Sequence, residues 1–162
     1  MKRIPLTQGK FALVDDQDYD FLMQWKWYAC YIHKTHYAKR SVRIGLKTIR
    51  IRMHREILKR MRLHIAGKKI DHRDRNGLNN RRSNLRIATN SQNQHNQGIR
   101  KNNKSGYKGV TWNKQHNKWQ ARICINWKEI WLGLFDDKKD AAKAYNEAAL
   151  KYHGKFAVLN KV

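Results

Sequence analysis

Residues 70–84 read IDHRDRNGLNNRRSN and set an Asp–His pair, Asp71 and His72, inside a run of arginines and asparagines. A surface built only to grip an anion gains nothing from a carboxylate at that point. Hydrolysis of a phosphodiester, by contrast, needs a base for water, a hard cation to stabilise charge on the transition state and leaving oxygen, and oxygen ligands for that cation. Asp71 and His72 offer two of these side by side. Neighbouring side chains on an extended segment point to opposite faces, so a third ligand has to come from another element. The following stretch, LRIATNSQNQHNQ at 85–97, supplies one: a strand over Leu85–Ala88, a cap at Thr89 or Asn90, and a helix from which Asn93 can reach back. His95 is the alternative to Asn93 at that place.

Charge narrows the partners. The chain has 162 residues, room for one medium domain or two small ones, and carries 36 Lys plus Arg against 12 Asp plus Glu, a formal charge of +24. Such an excess resists compaction unless a polyanion takes it up, and nucleic acid is the leading candidate. Residues 1–97 hold 22 basic and 7 acidic side chains and residues 98–162 hold 14 and 5, so the excess is no detachable tail. A membrane surface fits less well. The longest apolar run, Trp27–Ile32, is too short to span a bilayer, and no basic amphipathic helix stands out. Met1-Lys2-Arg3 is followed by Pro5, Thr7, Gln8 and Lys10 where a signal peptide needs apolar residues, which gives a cytoplasmic expectation, in a bacterium or a phage-infected host. Cys30 and Cys124 lie far apart in strand-like surroundings and read as buried, reduced thiols.

Composition breaks at Gln97–Gly106, QGIRKNNKSG, and predicts a basic linker over 97–104 between a region at 1–96 and a second at 105–162. In the first, FALVD, WKWYACYI, YAKRSVRI and KTIRIR read as strands, with Asp15 or Asp16 capping a short helix and a second helix over His54–Met61. Trp25, Trp27, Tyr28, Tyr31 and Tyr37 read as core. In the second, strands are expected over Tyr107–Trp112, over Trp119–Ile125, and through Ile130, Leu132 and Leu134, with Glu129, Trp131 and Gly133 on the opposite face. A helix follows from Asp137, its stripe made by Ala141, Ala144, Tyr145, Ala148, Ala149 and Tyr152. The fold class is α+β.

The set Asp71-His72, Asn84-Leu85 and Asn93, with MHREIL at 53–58 ahead of it, resembles the HNH nuclease motif of phage and intron-encoded homing endonucleases. Twelve positions separate His72 from Asn84 and nine separate Asn84 from Asn93. The resemblance implies a ββα-metal centre in which His72 is the general base, Asp71 and Asn93 bind one divalent metal, and Asn84 braces the loop bearing the histidine. It also implies ends carrying 5′-phosphate and 3′-hydroxyl. Asn93 stands where the family name has its last histidine, which makes the protein's ligands all oxygen and favours magnesium or manganese over zinc. Arg81, Arg82 and Arg86 are candidate phosphate contacts, and His54 reads as structural or as a phosphate contact.

Residues 105–160, with YKGV at 107–110, Lys118-Trp119, WLG at 131–133, Ala141-Ala142, Tyr145 and Gly154, resemble the apetala-two/ethylene-response-factor DNA-binding domain of plants. That resemblance implies a three-stranded antiparallel sheet packed on one helix, with the sheet's open face reading the major groove through Lys108, Thr111, Asn113, Arg122, Lys128 and Trp131. Lys108, Thr111, Asn113 and Arg122 depart from the residues common in plant members, so the plant target sequence does not carry over. The combined reading is a site-specific DNA endonuclease of the homing type, acting as a monomer on double-stranded DNA with no small-molecule cofactor beyond the metal. A non-catalytic DNA-binding regulator with a relic HNH segment is the competing class, and the intact Asp71, His72 and Asn93 argue against it. An RNA-binding protein is a weaker rival, because paired stacking aromatics in an RNA-module pattern are missing.

Overall fold

Ile4, Ala12 and Val14 are the buried positions of an N-terminal hairpin in which β1 (Lys2–Pro5) pairs antiparallel with β2 (Phe11–Val14). In this computed structural model, which describes residues 1–32 and 34–162, the chain divides into two compact units, Met1–Ala88 and Thr89–Val162. The hairpin starts the first unit. It was not expected from sequence, because a four-residue strand of two basic residues, Ile and Pro shows no alternation to read.

After the hairpin, α1 (Asp16–Met23) leads into a three-stranded antiparallel sheet of β3 (Tyr28–Ile32), β4 (Thr35–Ile44) and β5 (Lys47–Arg52), with β4 central. Helix α2 (Met53–Arg60) follows, then the antiparallel pair β6 (Lys69–His72) and β7 (Leu85–Ala88). Their apolar faces meet in one core that includes Leu22, Trp27, Met53, Ile57, Leu58 and Leu85. Trp27 is buried as expected and Trp25 packs at the core's edge, where the Arg40 guanidinium lies 4.1 Å from its ring. Tyr31 corrects the aromatic reading: it is 65 % exposed.

Asp18 on α1 is fully buried and accepts two 2.7 Å bonds from the Arg82 guanidinium, with Arg60 Nε at 3.3 Å. Asp15 is the N-cap of α1, yet its carboxylate turns away from the helix and accepts from the Arg82 backbone N–H at 2.7 Å. The N-cap acid and one acid of the first turn thus fix a segment more than sixty residues downstream.

In the second unit α3 (Asn90–His95) opens with a full capping box: Thr89 Oγ1 accepts from Gln92 N, and Gln92 Oε1 accepts from Thr89 N. An antiparallel sheet then runs in the order β10 (Lys128–Phe135), β9 (Lys118–Ile125), β8 (Val110–Asn113), and α4 (Lys138–His153) packs across it. Ala141, Ala142, Tyr145, Ala148 and Ala149 are buried, and the four small alanines let the helix lie close to Val110, Ala121 and Ile123. Tyr152, placed on that stripe from sequence, is 44 % exposed instead.

The first strand starts at Val110 rather than Tyr107, because Gly109 turns the chain at φ +76°. A β-bulge between Trp131 and Gly133 corrects the third strand: the extra residue reverses the alternation, so Gly133 pairs with Ala121 and Phe135 joins the core, while Leu134 stands opposite Gln120. The cysteine reading is corrected as well, since Cys124 is exposed and Cys30 partly so, both as free thiols. Among the described residues no helix is long and apolar enough to cross a membrane.

A Cβ on Gly109 would lie 2.1 Å from the Tyr145 ring and 2.6 Å from the Arg122 carbonyl, in a backbone region that L side chains rarely adopt. Gly109→Ala is therefore expected to destabilise the second unit by about 3 kcal/mol, combining overpacking with left-handed strain. Urea denaturation followed by tryptophan fluorescence measures it.

Candidate active site

The twelve residues between β6 and β7 form a loop held by its own polar side chains. Asp74 accepts from the backbone N–H of Asn76 at 2.9 Å and from Asn79 Nδ2 at 2.6 Å, and Asn76 Oδ1 accepts from Leu78 N at 3.0 Å, so each turn is closed by an acid or amide. Asn84, at the far end, joins both sides: its Nδ2 donates to Asp74 Oδ1 at 2.9 Å and to the Asn79 carbonyl at 2.7 Å, and its Oδ1 accepts from Asp74 N at 3.1 Å. Burial alone would raise the Asp74 pKa, but the bonds from Asn76, Asn79 and Asn84 outweigh it and hold the carboxyl below its usual 3.8. The loop is strapped to the N-terminal hairpin through Leu13 N to Leu78 O and Asn80 N to Leu13 O, both 2.8 Å. Gly77 is required where the loop meets β4, since a Cβ there would fall 2.5 Å from the His36 carbonyl and 2.8 Å from the Tyr37 ring.

His72 ends β6 and is buried. Its Nε2 lies 3.3 Å from Asn80 Oδ1, and the Asn80 amide is oriented by its own Nδ2 donating to the Leu78 carbonyl at 3.2 Å. With a carbonyl oxygen facing Nε2, the neutral ring carries its proton there and keeps a lone pair on Nδ1. Burial lowers the His72 pKa from 6.5, against the opposing pull of the Asn80 bond and the charges of Asp74 and Asp71. The imidazole is neutral at physiological pH and can accept a proton.

Two neighbours were not assigned to this site from sequence. His54, buried on α2, has its ring centroid 5.2 Å from that of His72, and Tyr37 on β4 lies 5.8 Å from His72 and 5.9 Å from His54. Burial holds His54 well below its ordinary pKa, helped by His72, Arg52, Arg55 and Lys39. Burial also raises the Tyr37 hydroxyl. The helical spacing of Ile57, Leu58 and Met61 announced the apolar face of α2 but not which loop its first turn would meet. Asn80 was equally hidden, one amide among several in NGLNN.

Asp71 is buried and paired across the strands with Arg86, whose Nε and Nη2 both lie 2.7 Å from Asp71 Oδ2. Of the three candidate phosphate-binding arginines, Arg82 is therefore held by Asp18, Arg86 by Asp71, and Arg81 donates through Nε to Asn79 Oδ1 at 2.9 Å. Among the described residues no cluster of three His, Cys, Asp or Glu side chains is placed to hold a metal.

In the second unit Asn93 is a partly buried residue of α3. His95, its rival, stacks on His153 with centroids 3.6 Å apart, and burial, His153 and Lys108 together lower its pKa to about 4. On the sheet, Thr111, Gln120, Arg122 and Trp131 share the face turned away from α4, with Trp131 60 % exposed, Lys128 at the hairpin end and Asn113 bonded to Gln120 at 3.3 Å. Arg122 pairs with Glu129 at 2.9 Å. Lys108 is turned elsewhere: its ammonium donates to the carbonyls of His95 and Gln97, both at 2.6 Å, at the C-terminal end of α3.

Comparison with known proteins assigns both regions. Residues 54–95 match the HNH endonuclease family model and residues 105–155 match the AP2 domain model. Over 160 residues the chain is 29 % identical to an uncharacterised HNH endonuclease of Acanthamoeba polyphaga mimivirus, covering 96 % of this chain and 77 % of that protein. It is 46 % identical over 56 residues to an AP2-like ethylene-responsive transcription factor of Arabidopsis thaliana, and 47 % identical over 58 residues to another of Oryza sativa subsp. japonica. Those stretches are 33 % and 35 % of this chain but only 10 % and 9 % of the plant factors.

The lowered histidines make stability depend on pH. His54, His72, His95 and His153 all have folded pKa values below 6.5, so under that pH the unfolded chain takes up protons that the folded units refuse. Unfolding free energy should hold level above pH 6.5 and fall as the pH drops below it, each histidine contributing at most about 1.4 kcal/mol per pH unit. His54→Phe should make that fall shallower, as read from urea denaturation at successive pH values.

Proposed function

Given an HNH endonuclease region at residues 54–95 and an AP2 domain at residues 105–155, we propose that this chain is a site-specific DNA endonuclease of the homing type, cutting with the first region and reading duplex DNA with the second. The observation that supports it most is the state of His72: a buried, neutral imidazole with its Nε2 proton directed at Asn80, at the end of a loop braced by Asn84. In that role Nδ1 takes the proton of an attacking water. Asn84 acts through the loop, keeping the ring in place, and His54 and Tyr37 wall it from solvent.

The donor chemistry fits a hard divalent cation. Asp71 is the proposed carboxylate ligand and Asn93 the proposed amide-oxygen ligand, oxygen donors that suit magnesium or manganese with water ligands better than zinc. When bound, such an ion stabilises charge on the phosphoryl group and the leaving oxygen. Thr111, Asn113, Arg122, Lys128 and Trp131 are the proposed reading residues, by their place on or beside the open face of the sheet. The proposed active form is a monomer with one cutting site.

The test is cleavage of duplex DNA with magnesium or manganese. His72→Ala should bind DNA like the wild type and cut it about a hundredfold more slowly or worse, the scale of a lost general base. Affinity should also fall steeply with salt, with a log–log slope of about −0.9 per phosphate contacted. A His72→Ala enzyme that cuts at the wild-type rate overturns the assignment, and a wild-type chain that binds but never cuts points to a DNA-binding regulator.

A further inference from the structure

The turn joining β9 to β10 has two residues, Asn126 and Trp127, between the paired positions Ile125 and Lys128. Both take positive φ, 49° and 67°, a hairpin geometry that asks for Asn and then Gly. Asn126 suits its place. Trp127 does not: a bulky side chain in the left-handed region is an outlier, and it packs so little that 72 % of it is exposed. The fold gains no burial from that strain, and glycine would relieve it.

Trp127 stands on the rim of a groove of about 790 Å³ within the second unit, between the Gly98–Ser105 segment and the β8–β9 side of the sheet. Arg100, Lys104 and Lys114 line it, all exposed and, among the described residues, none in an ion pair, and the only acid among the described lining residues, Glu129, is paired with Arg122. A second indole, Trp112, lies in the same lining and is 45 % exposed. Unpaired cations along a groove with open aromatic faces match an unpaired nucleotide strand, whose phosphates follow the cations and whose bases stack on the rings. A duplex offers its bases by their edges, which an indole can touch but on which it cannot stack.

We propose that this groove, which shares Thr111 and Arg122 with the duplex-reading face, binds a single unpaired nucleotide strand, with Trp127 as a stacking platform and Arg100, Lys104 and Lys114 as phosphate contacts. The proposal rests on the DNA-binding reading of the second unit and adds a second ligand form to it.

The experiment compares binding of the full chain to a fluorescein-labelled oligodeoxythymidylate and to a labelled duplex, by anisotropy, for the wild type, Trp127→Gly, Trp127→Phe and the double variant Arg100→Ala/Lys104→Ala. Trp127→Gly should raise the melting temperature, because the turn relaxes, and yet weaken single-strand binding about tenfold, with duplex binding unchanged. Trp127→Phe should keep most of the single-strand affinity, and the double variant should make its salt dependence shallower. The proposal is overturned if Trp127→Gly binds the single strand as tightly as the wild type, or if single-strand and duplex affinity fall together. A wild type that binds duplex but not the oligothymidylate defeats this inference alone; one that binds neither defeats the DNA-binding reading beneath it.

Discussion

The bond pair between Asp18 and Arg82 ties α1 to the turn that carries Asn84. A fully buried carboxylate needs a partner of opposite charge, and Arg82 meets it with two parallel bonds at 2.7 Å. Because Asp15 takes the Arg82 backbone N–H as well, the short 3₁₀ turn Arg82–Asn84 is fixed against α1. Asn84 is the last residue of that turn, and through it the constraint passes to Asp74, to the loop, and so to the residue at its start, His72. A side chain near the N-terminus thereby sets the position of an imidazole more than fifty residues away.

The second unit follows a different economy. Its sheet and helix meet through small residues, Gly109 and four buried alanines, so its geometry is set by how closely backbones approach. That leaves the opposite face of the sheet without a structural task, free to carry polar and aromatic side chains. Lys108 shows the limit of reading such a face by position, because its ammonium closes the end of α3 instead of projecting outward.

Where local chemistry decides, the sequence could be read closely. The alternation of Trp119, Ala121, Ile123 and Ile125 marked the core side of β9, Thr89 announced the start of α3, and the Asp–His pair with its amides marked the candidate site. Where tertiary geometry decides, it could not. The bulge that reverses β10 comes from a backbone adjustment with no signature in the alternation of Ile130, Leu132 and Leu134, and its Gly133 suits either face. The ring cluster of His54, Tyr37 and His72 joins three elements whose meeting no spacing encodes. Arg82 and Arg86 looked like surface cations because a sequence shows charge but not the buried acids that capture it.

The ion pair of Asp71 and Arg86 also bears on the order in which the site is assembled. The neighbouring strand supplies the counter-charge for the buried Asp71 carboxylate as soon as β6 and β7 pair. The two side chains balance each other's charge once the strands pair. In the role of metal ligand proposed for Asp71, its carboxylate would be shared with Arg86, so a divalent cation would gain less Coulomb energy there than at a bare acidic cage.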